Sequence, residues 1–295
     1  PDLIDILTTV TEKPSGSFSV GAGFSSVENL IFTTSITQNN LLGNGQRLSL
    51  NAQLSSIRTD FSVSFTEPRL FDSEILLGFD AFNQDQDYLS FDSQSTGGGI
   101  RLGKNISEYD SVNLRYRFDN VEVTGLSAAD ETEFFKNATR VTSRIAPTYT
   151  HDSRDNFLNP SKGWRHVLGF ELAGLGGAKF TKSVYEVTYY HPLIGKLVGA
   201  AHGRVNFAEG YGGEGLPGFE KYFMGGPTSL RGFTIQDVGP KNSSGNPVGG
   251  SQSLLLNLEV QYPFTKSFRG FLFYDRGNVY GSGADTSTTA KNFDL

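Results

Sequence analysis

From Ser17 onward the chain alternates apolar and polar residues with period two, the pattern of strands whose two faces meet different surroundings. Phe18, Val20, Ala22 and Phe24 fall on one face; Ser17, Ser19, Gly21 and Gly23 fall on the other. Val112, Leu114, Tyr116 and Phe118 oppose Asn113, Arg115, Arg117 and Asp119. Leu254, Leu256, Leu258, Val260 and Tyr262 oppose Leu255, Asn257, Glu259 and Gln261. Such stretches predict about thirteen strands: 17–25, 29–38, 46–56, 59–66, 74–84, 92–103, 111–123, 141–152, 163–175, 181–191, 197–208, 252–263 and 268–280. They are longer than the globular average of about 5–6 residues. They suit tilted strands crossing a bilayer, which need about 9–11. No helical pattern of similar length interrupts them, which excludes βαβ units.

So many long strands carry more apolar face than a soluble sandwich can hide. In a bilayer the lipid covers that face, and closure of the sheet pairs every backbone group. The expected fold class is therefore all-β, a transmembrane antiparallel β-barrel. Joints near 39–45, 67–73, 104–110, 153–162, 192–196 and 264–267 read as short to moderate. On the other side, those near 26–28, 57–58 and 176–180 are short, and those near 85–91, 124–140 and 209–251 read as mostly longer. Long loops on one side are the habit of outer-membrane barrels and make that side external. The 209–251 insertion then enters from outside.

The alternation places Arg115, Arg117, Asp119, Arg144, Asp152, Arg165, Glu171, Glu186, His202, Arg204 and Glu259 on the inner face. Both signs are mixed, so the set reads as interior ion pairs, with some free to grip an inserted loop. Tyr185, Tyr189, Tyr262 and Trp164 read as interfacial aromatics near strand ends on the apolar face. Composition adds mainly exclusions. The net charge of −6 with no basic tail argues against a nucleic-acid partner. Zero cysteines exclude disulfides and thiolate metal sites. No uncharged apolar run approaches the length of a membrane-spanning helix, and the residues from Pro1 show no basic, apolar leader pattern, so a processed or truncated chain is the expectation. Asp2–Glu12 reads as the last strand of a preceding domain, with the linker ending at residue 14. His151, His166, His191 and His202 lack metal-ligand spacing, and no nucleophile elbow, phosphate loop or dinucleotide fingerprint occurs. Gly97–Gly99 lies inside a strand, where curvature or close packing explains it. The expectation is no enzyme, no metal and no cofactor.

Two stretches stand apart from the strands. Residues 222–233 read Y-F-M-G-G-P-T-S-L-R-G-F, with Arg231 set among Gly225, Gly226, Gly232 and Phe233. A long insertion between two strands is more often functional than idle. Glycines allow close backbone approach, and a guanidinium fork suits paired carboxylates. Period two turns Glu259 inward and makes it a candidate partner. Residues 151–163 read H-D-S-R-D-N-F-L-N-P-S-K-G, a turn that Arg154 would brace between Asp152 and Asp155, ahead of Gly163.

These motifs, with G-G-S-Q-S-L-L-L-N-L-E-V-Q-Y-P-F at 249–264 and F-L-F-Y-D-R-G-N-V-Y at 271–280, resemble the Omp85 superfamily over nearly the whole chain. Leu230 departs mildly from the valine or isoleucine usual before the arginine. The resemblance implies a sixteen-stranded barrel. Residues 1–14 would then end the last POTRA domain and its linker, and 15–280 would supply strands one to thirteen. Residues 281–295 would belong to an external loop, with the last strands missing. It places Arg231 of the sixth external loop against Glu259 and Asp275, with Phe273 beside them. It implies insertion and folding of other β-barrel proteins in the bacterial outer membrane, as the central subunit of an assembly machinery. A two-partner secretion or translocation-assembly transporter of the same superfamily is the alternative. Implied partners are the lipid bilayer, unfolded client barrels, and accessory lipoproteins reached through POTRA domains, with no nucleic acid. Strand one, with Ser17, Ser19, Gly21 and Gly23, would form a weak lateral seam, because small side chains do little to set register.

Overall fold

A computed structural model of the chain describes residues 13–25, 27–126, 140–242, 244–265 and 268–281. The expected POTRA segment up to residue 12 and the external segment beyond residue 281 lie outside the described residues. The strands are β1 (Gly16–Ser25), β2 (Asn29–Leu41), β3 (Gln46–Leu54), β4 (Arg58–Glu67), β5 (Ile75–Asp87), β6 (Asp92–Asn105) and β7 (Asp110–Thr124). They continue with β8 (Arg140–Asp152), β9 (Gly163–Gly177), β10 (Phe180–Pro192), β11 (Val198–Gly210), β12 (Gln252–Pro263) and β13 (Arg269–Tyr280). All thirteen form one sheet in which each strand pairs antiparallel with its chain neighbours. β1 and β13 are its two ends, and no pairing joins them among the described residues.

Pairing follows the alternation. Leu254, Leu256, Leu258 and Val260 of β12 sit opposite Asn278, Arg276, Tyr274 and Leu272 of β13 on one face. Asn257 and Glu259 sit opposite Asp275 and Phe273 on the other. The first face is a wall of exposed apolar side chains, with Phe18 68% and Leu272 80% accessible. In water that surface would be a severe liability; in a bilayer it is the solvated face. Buried apolar residues instead lie where the long loop meets the inner face. Leu216 packs with Ala173, Ala178, Phe180 and Ala208. Phe219 and Phe223 pack against Phe91, Val121 and Val123. Met224 and Leu230 pack against Leu255 and Val279.

The connections differ in detail from expectation. β5 runs on through Asn83–Gln86 to Asp87, because polar residues still pair with β6. The joint expected to be long at 85–91 is therefore a short link over 88–91. Close packing accounts for the glycine run in β6: a Cβ on Gly97 would lie 2.3 Å from the Phe118 carbonyl oxygen. Trp164 stacks on Tyr189 at 3.9 Å and on His166 at 5.5 Å near the turn joining β8 and β9. Tyr262 meets Phe264 edge-on at 5.0 Å. Tyr185 lies in the middle of β10, so it is not a strand-end aromatic; its hydroxyl bonds the His166 ring at 2.9 Å.

Candidate functional site

The insertion leaves the sheet after Gly210 and returns at Gln252. It folds back on itself as a narrow arm. Tyr222 and Gly250 exchange backbone hydrogen bonds of 2.8 and 2.9 Å, and the Val238 N–H donates to the Met224 carbonyl at 3.0 Å. Its tip turns at Gly225 and Gly226, whose φ values are +115° and +94°. A Cβ on Gly225 would stand 2.2 Å from the Thr234 carbonyl oxygen, so only glycine fits. Ser229 locks the turn, its hydroxyl accepting from the Gly225 N–H and donating to the Gly225 carbonyl, both at 3.0 Å.

This turn delivers Arg231 to the inner wall. Its Nε and Nη2 donate to the two oxygens of Asp275 at 2.7 and 2.6 Å, a bidentate pair. Nη1 donates to Glu259 Oε1 at 2.6 Å, and the Arg231 backbone N–H adds a bond to Asp275 at 3.0 Å. The guanidinium carbon lies 3.9 Å from the Phe273 ring centre and 5.5 Å from that of Phe271. Asp275 and Phe273 reach the same face because β13 alternates, with Leu272 and Tyr274 turned to the apolar wall. The Asp275 side chain is 3% exposed, so the arginine is its main charge compensation.

Asn257 completes the junction, and period-two reading had placed it inward without giving it a role. Its Nδ2 donates to Asp275 at 2.8 Å and to the Ser229 carbonyl at 2.9 Å. Its Oδ1 meets the His202 ring at 2.9 Å. Leu230 is the other residue missed. It is 2% exposed and plugs the apolar contact with Met224, Leu255 and Val279. Its position just before the arginine was the available signal. Gly232 and Phe233 are less enclosed: a Cβ on Gly232 would meet open space, and Phe233 is 58% exposed. Beside the clamp lies a cavity of about 260 Å³, lined by Thr188, His202, Ser229, Arg231, Asn257 and Glu259 among others.

The turn between β8 and β9 is braced differently from expectation. Arg154 forms a bidentate pair with Asp152 at 2.8 and 2.6 Å and does not bridge to Asp155. Asp155 instead accepts from the Ser161 hydroxyl and N–H at 2.5 and 2.8 Å and from the Lys162 N–H at 3.2 Å. Burial works against its charge, but these donors hold its carboxyl at about 2. Gly163 has φ +109°, and a Cβ there would lie 2.4 Å from the Ser153 carbonyl oxygen. Ser17, Ser19, Gly21 and Gly23 stand on β1, which pairs with β2 in unbroken register from Gly16↔Gln38 to Ser25↔Asn29. Among the described residues no group of three or more His, Cys, Asp or Glu side chains could hold a metal.

Lys221 in the arm is 5% exposed, and burial pushes its ammonium down to about 8. An unfolded lysine keeps its proton to about pH 10.4. Between those limits the unfolded state binds more protons, so stability rises with pH. Thermal unfolding in detergent should show wild type gaining on Lys221→Met from about pH 8 to about pH 10.4. Parallel profiles would contradict this; both proteins carry the same tyrosines, so their difference isolates Lys221.

A thirteen-stranded wall with an apolar outer face and an arginine-tipped arm bound to its inner face defines an integral β-barrel with a lumenal loop. The sequence profile of the Omp85 superfamily domain matches residues 40–295, and the chain belongs to that superfamily. It is 30% identical over 294 residues to the outer membrane protein assembly factor BamA of Nitratidesulfovibrio vulgaris, covering 96% of this chain and 37% of that protein. It is 26% identical over 311 residues to BamA of Neisseria meningitidis serogroup B, covering 95% of this chain and 39% of that one. The chain thus spans well under half the length of these relatives. Its fold is similar to the crystal structure of Haemophilus ducreyi BamA lacking POTRA domains 1–3. The TM-score is 0.82 at 22% identity, over 92% of this chain and 58% of the other.

Proposed function

We propose that this chain is the membrane wall of an outer-membrane assembly factor that inserts and folds other β-barrel proteins. The carrying observation is Arg231 held between Glu259 and Asp275 on an arm inside the sheet. The 30% identity to an assembly factor over 96% of the chain supports the same reading. The work is mechanical. No bond is made or broken and no cofactor takes part. An incoming client strand pairs with the free edge of β1 by strand addition, in which main-chain hydrogen bonds supply the affinity. The arm keeps the rest of the wall in shape meanwhile. Accessory lipoproteins would act through POTRA domains ahead of β1, in the periplasm.

Depleting the full-length protein in its own cells tests this. The expected result is a parallel fall of many unrelated outer-membrane barrels, measured by membrane proteomics. Loss of one secreted passenger with other barrels unchanged would favour a dedicated transporter and reject the assembly role.

A further inference from the structure

The arm carries a second charged contact, on β8–β10 rather than on β12 and β13. Glu220 closes a short 3-10 turn, Gly218–Glu220, and is 5% exposed. Lys182 of β10 donates from Nζ to the Glu220 carboxylate and to its backbone carbonyl, both at 3.0 Å. Arg144 of β8 places Nη1 2.9 Å from the same carboxylate. Arg144 also pairs with Glu171 at 3.0 Å and Asp119 at 3.3 Å. Asp119 is held in turn by Arg117 at 3.0 Å, Ser95 at 2.9 Å and Thr142. Lys182 lies 4.8 Å from the Tyr222 ring centre and Arg144 5.5 Å from that of Phe180.

A carboxylate this deeply buried is tolerable only with its cations in place. Its partners are set by the wall, since Arg144 and Lys182 project from the inner faces of β8 and β10. Glu220 can therefore occupy this place only when the base of the arm is seated there. Neither cation contacts the Arg231 site, whose carboxylates come from β12 and β13. Apolar contacts reinforce the same base: Phe223 lies 5.4 Å from Tyr88 and 5.9 Å from Phe91, ring centre to ring centre.

We propose that Glu220 is a second, independent anchor of the lumenal arm. It fixes the base on β8–β10, while Arg231 fixes the tip on β12 and β13. The two contacts brace β8 to β13 as one sector of wall through a segment of twelve residues, Glu220 to Arg231. The proposal rests on the reading of the arm as an internal strut. It makes Glu220, Lys182 and Arg144 positioning residues, none of which touches a client.

The test is hydrogen exchange of the full-length protein in detergent, read by mass spectrometry on peptides covering 214–223 and 225–233. Glu220→Gln should speed exchange about tenfold in 214–223 and leave 225–233 protected. Arg231→Ala should do the reverse, and the double variant should expose both. A base as protected in Glu220→Gln as in wild type would overturn the proposal. So would release of the whole arm by Arg231→Ala alone. Should Glu220→Gln fold poorly, Lys182→Met with and without Glu220→Gln gives a second reading. Buried partners couple, so the double variant should lose less than the two single losses combined; strict additivity would remove the pairing. Client insertion is measured on the same samples. Exchange that follows this pattern while wild type and every variant insert clients no faster than protein-free vesicles supports the anchor and rejects the assembly role.

Discussion

Arg231→Ala in the full-length protein is expected to lower barrel stability by about 3–5 kcal/mol, the cost of stripping one partner from a buried ion pair. The loss comes from what stays behind. Asp275 keeps the Asn257 bond and the Arg231 backbone N–H, but loses the only cation shown bonded to it, while 3% exposed. Glu259 keeps the Gln261 amide, at 2.7 Å. Lysine at position 231 should restore little, because a point charge cannot span three carboxylate oxygens as the planar fork does. Phe233→Ala, in the same motif but 58% exposed, should fold as wild type. Urea unfolding in vesicles and the heat-modifiable shift on gels measure all three. An unchanged midpoint for Arg231→Ala, or equal losses for Arg231→Ala and Phe233→Ala, would remove the clamp from the account.

The second large effect concerns β1. Its inner face is built from Ser17, Ser19, Gly21 and Gly23, which leave only small side chains to hold a neighbour, while Phe18, Val20 and Phe24 face the lipid. If β1 is the lateral seam, a disulfide joining Gly21→Cys to the facing residue of whichever strand closes onto β1 in the full-length protein should abolish client insertion, and reduction should restore it. This chain contains no cysteine, so an introduced pair has no competitor within it. The control is a pair at Ser19 and Ser35, which are register partners across β1 and β2. That bond crosses an edge already paired and should leave activity intact. Equal activity of oxidised and reduced Gly21→Cys protein would show that the seam does not open during the work.

The wall was almost wholly legible in the sequence, because one physical rule produces it. Each strand has lipid on one side and lumen on the other, so period two appears wherever the chain crosses. β12 spans the residues expected, and β5 starts one residue later than expected and runs three residues further, over 85–87, where polar residues pair without any apolar alternation to mark them. The arm obeys no such period. It is held by specific contacts between segments far apart in sequence, and those leave no local signature. Glu259 could be turned inward by alternation with Leu258 and Val260. Asp275 could not, since Phe271, Phe273 and Tyr274 blur the two faces of β13, and its place in the clamp came from the family resemblance. Arg154 meets Asp152 but not Asp155, because a turn residue such as Asp155 satisfies itself locally before it reaches a neighbour. Glu220 was overlooked although it is the lone acid in the stretch L-P-G-F-E-K-Y-F-M, where an unpaired charge would be costly. Lys182 shares the face of Glu186 and was equally available.

The geometry joins these pieces into one device. The outer wall needs lipid, the inner wall needs the arm, and the arm needs its carboxylate and arginine partners. On the proposed function, a wall braced from β8 to β13 would leave β1 as the edge where a client strand pairs without disturbing the clamp. Folding of an unfolded client barrel in vesicles containing the purified full-length protein tests this most directly. The account predicts client folding much faster than in protein-free vesicles, slowed by Arg231→Ala and stopped by the oxidised β1 lock. A client that folds at the same rate with and without the protein would contradict it.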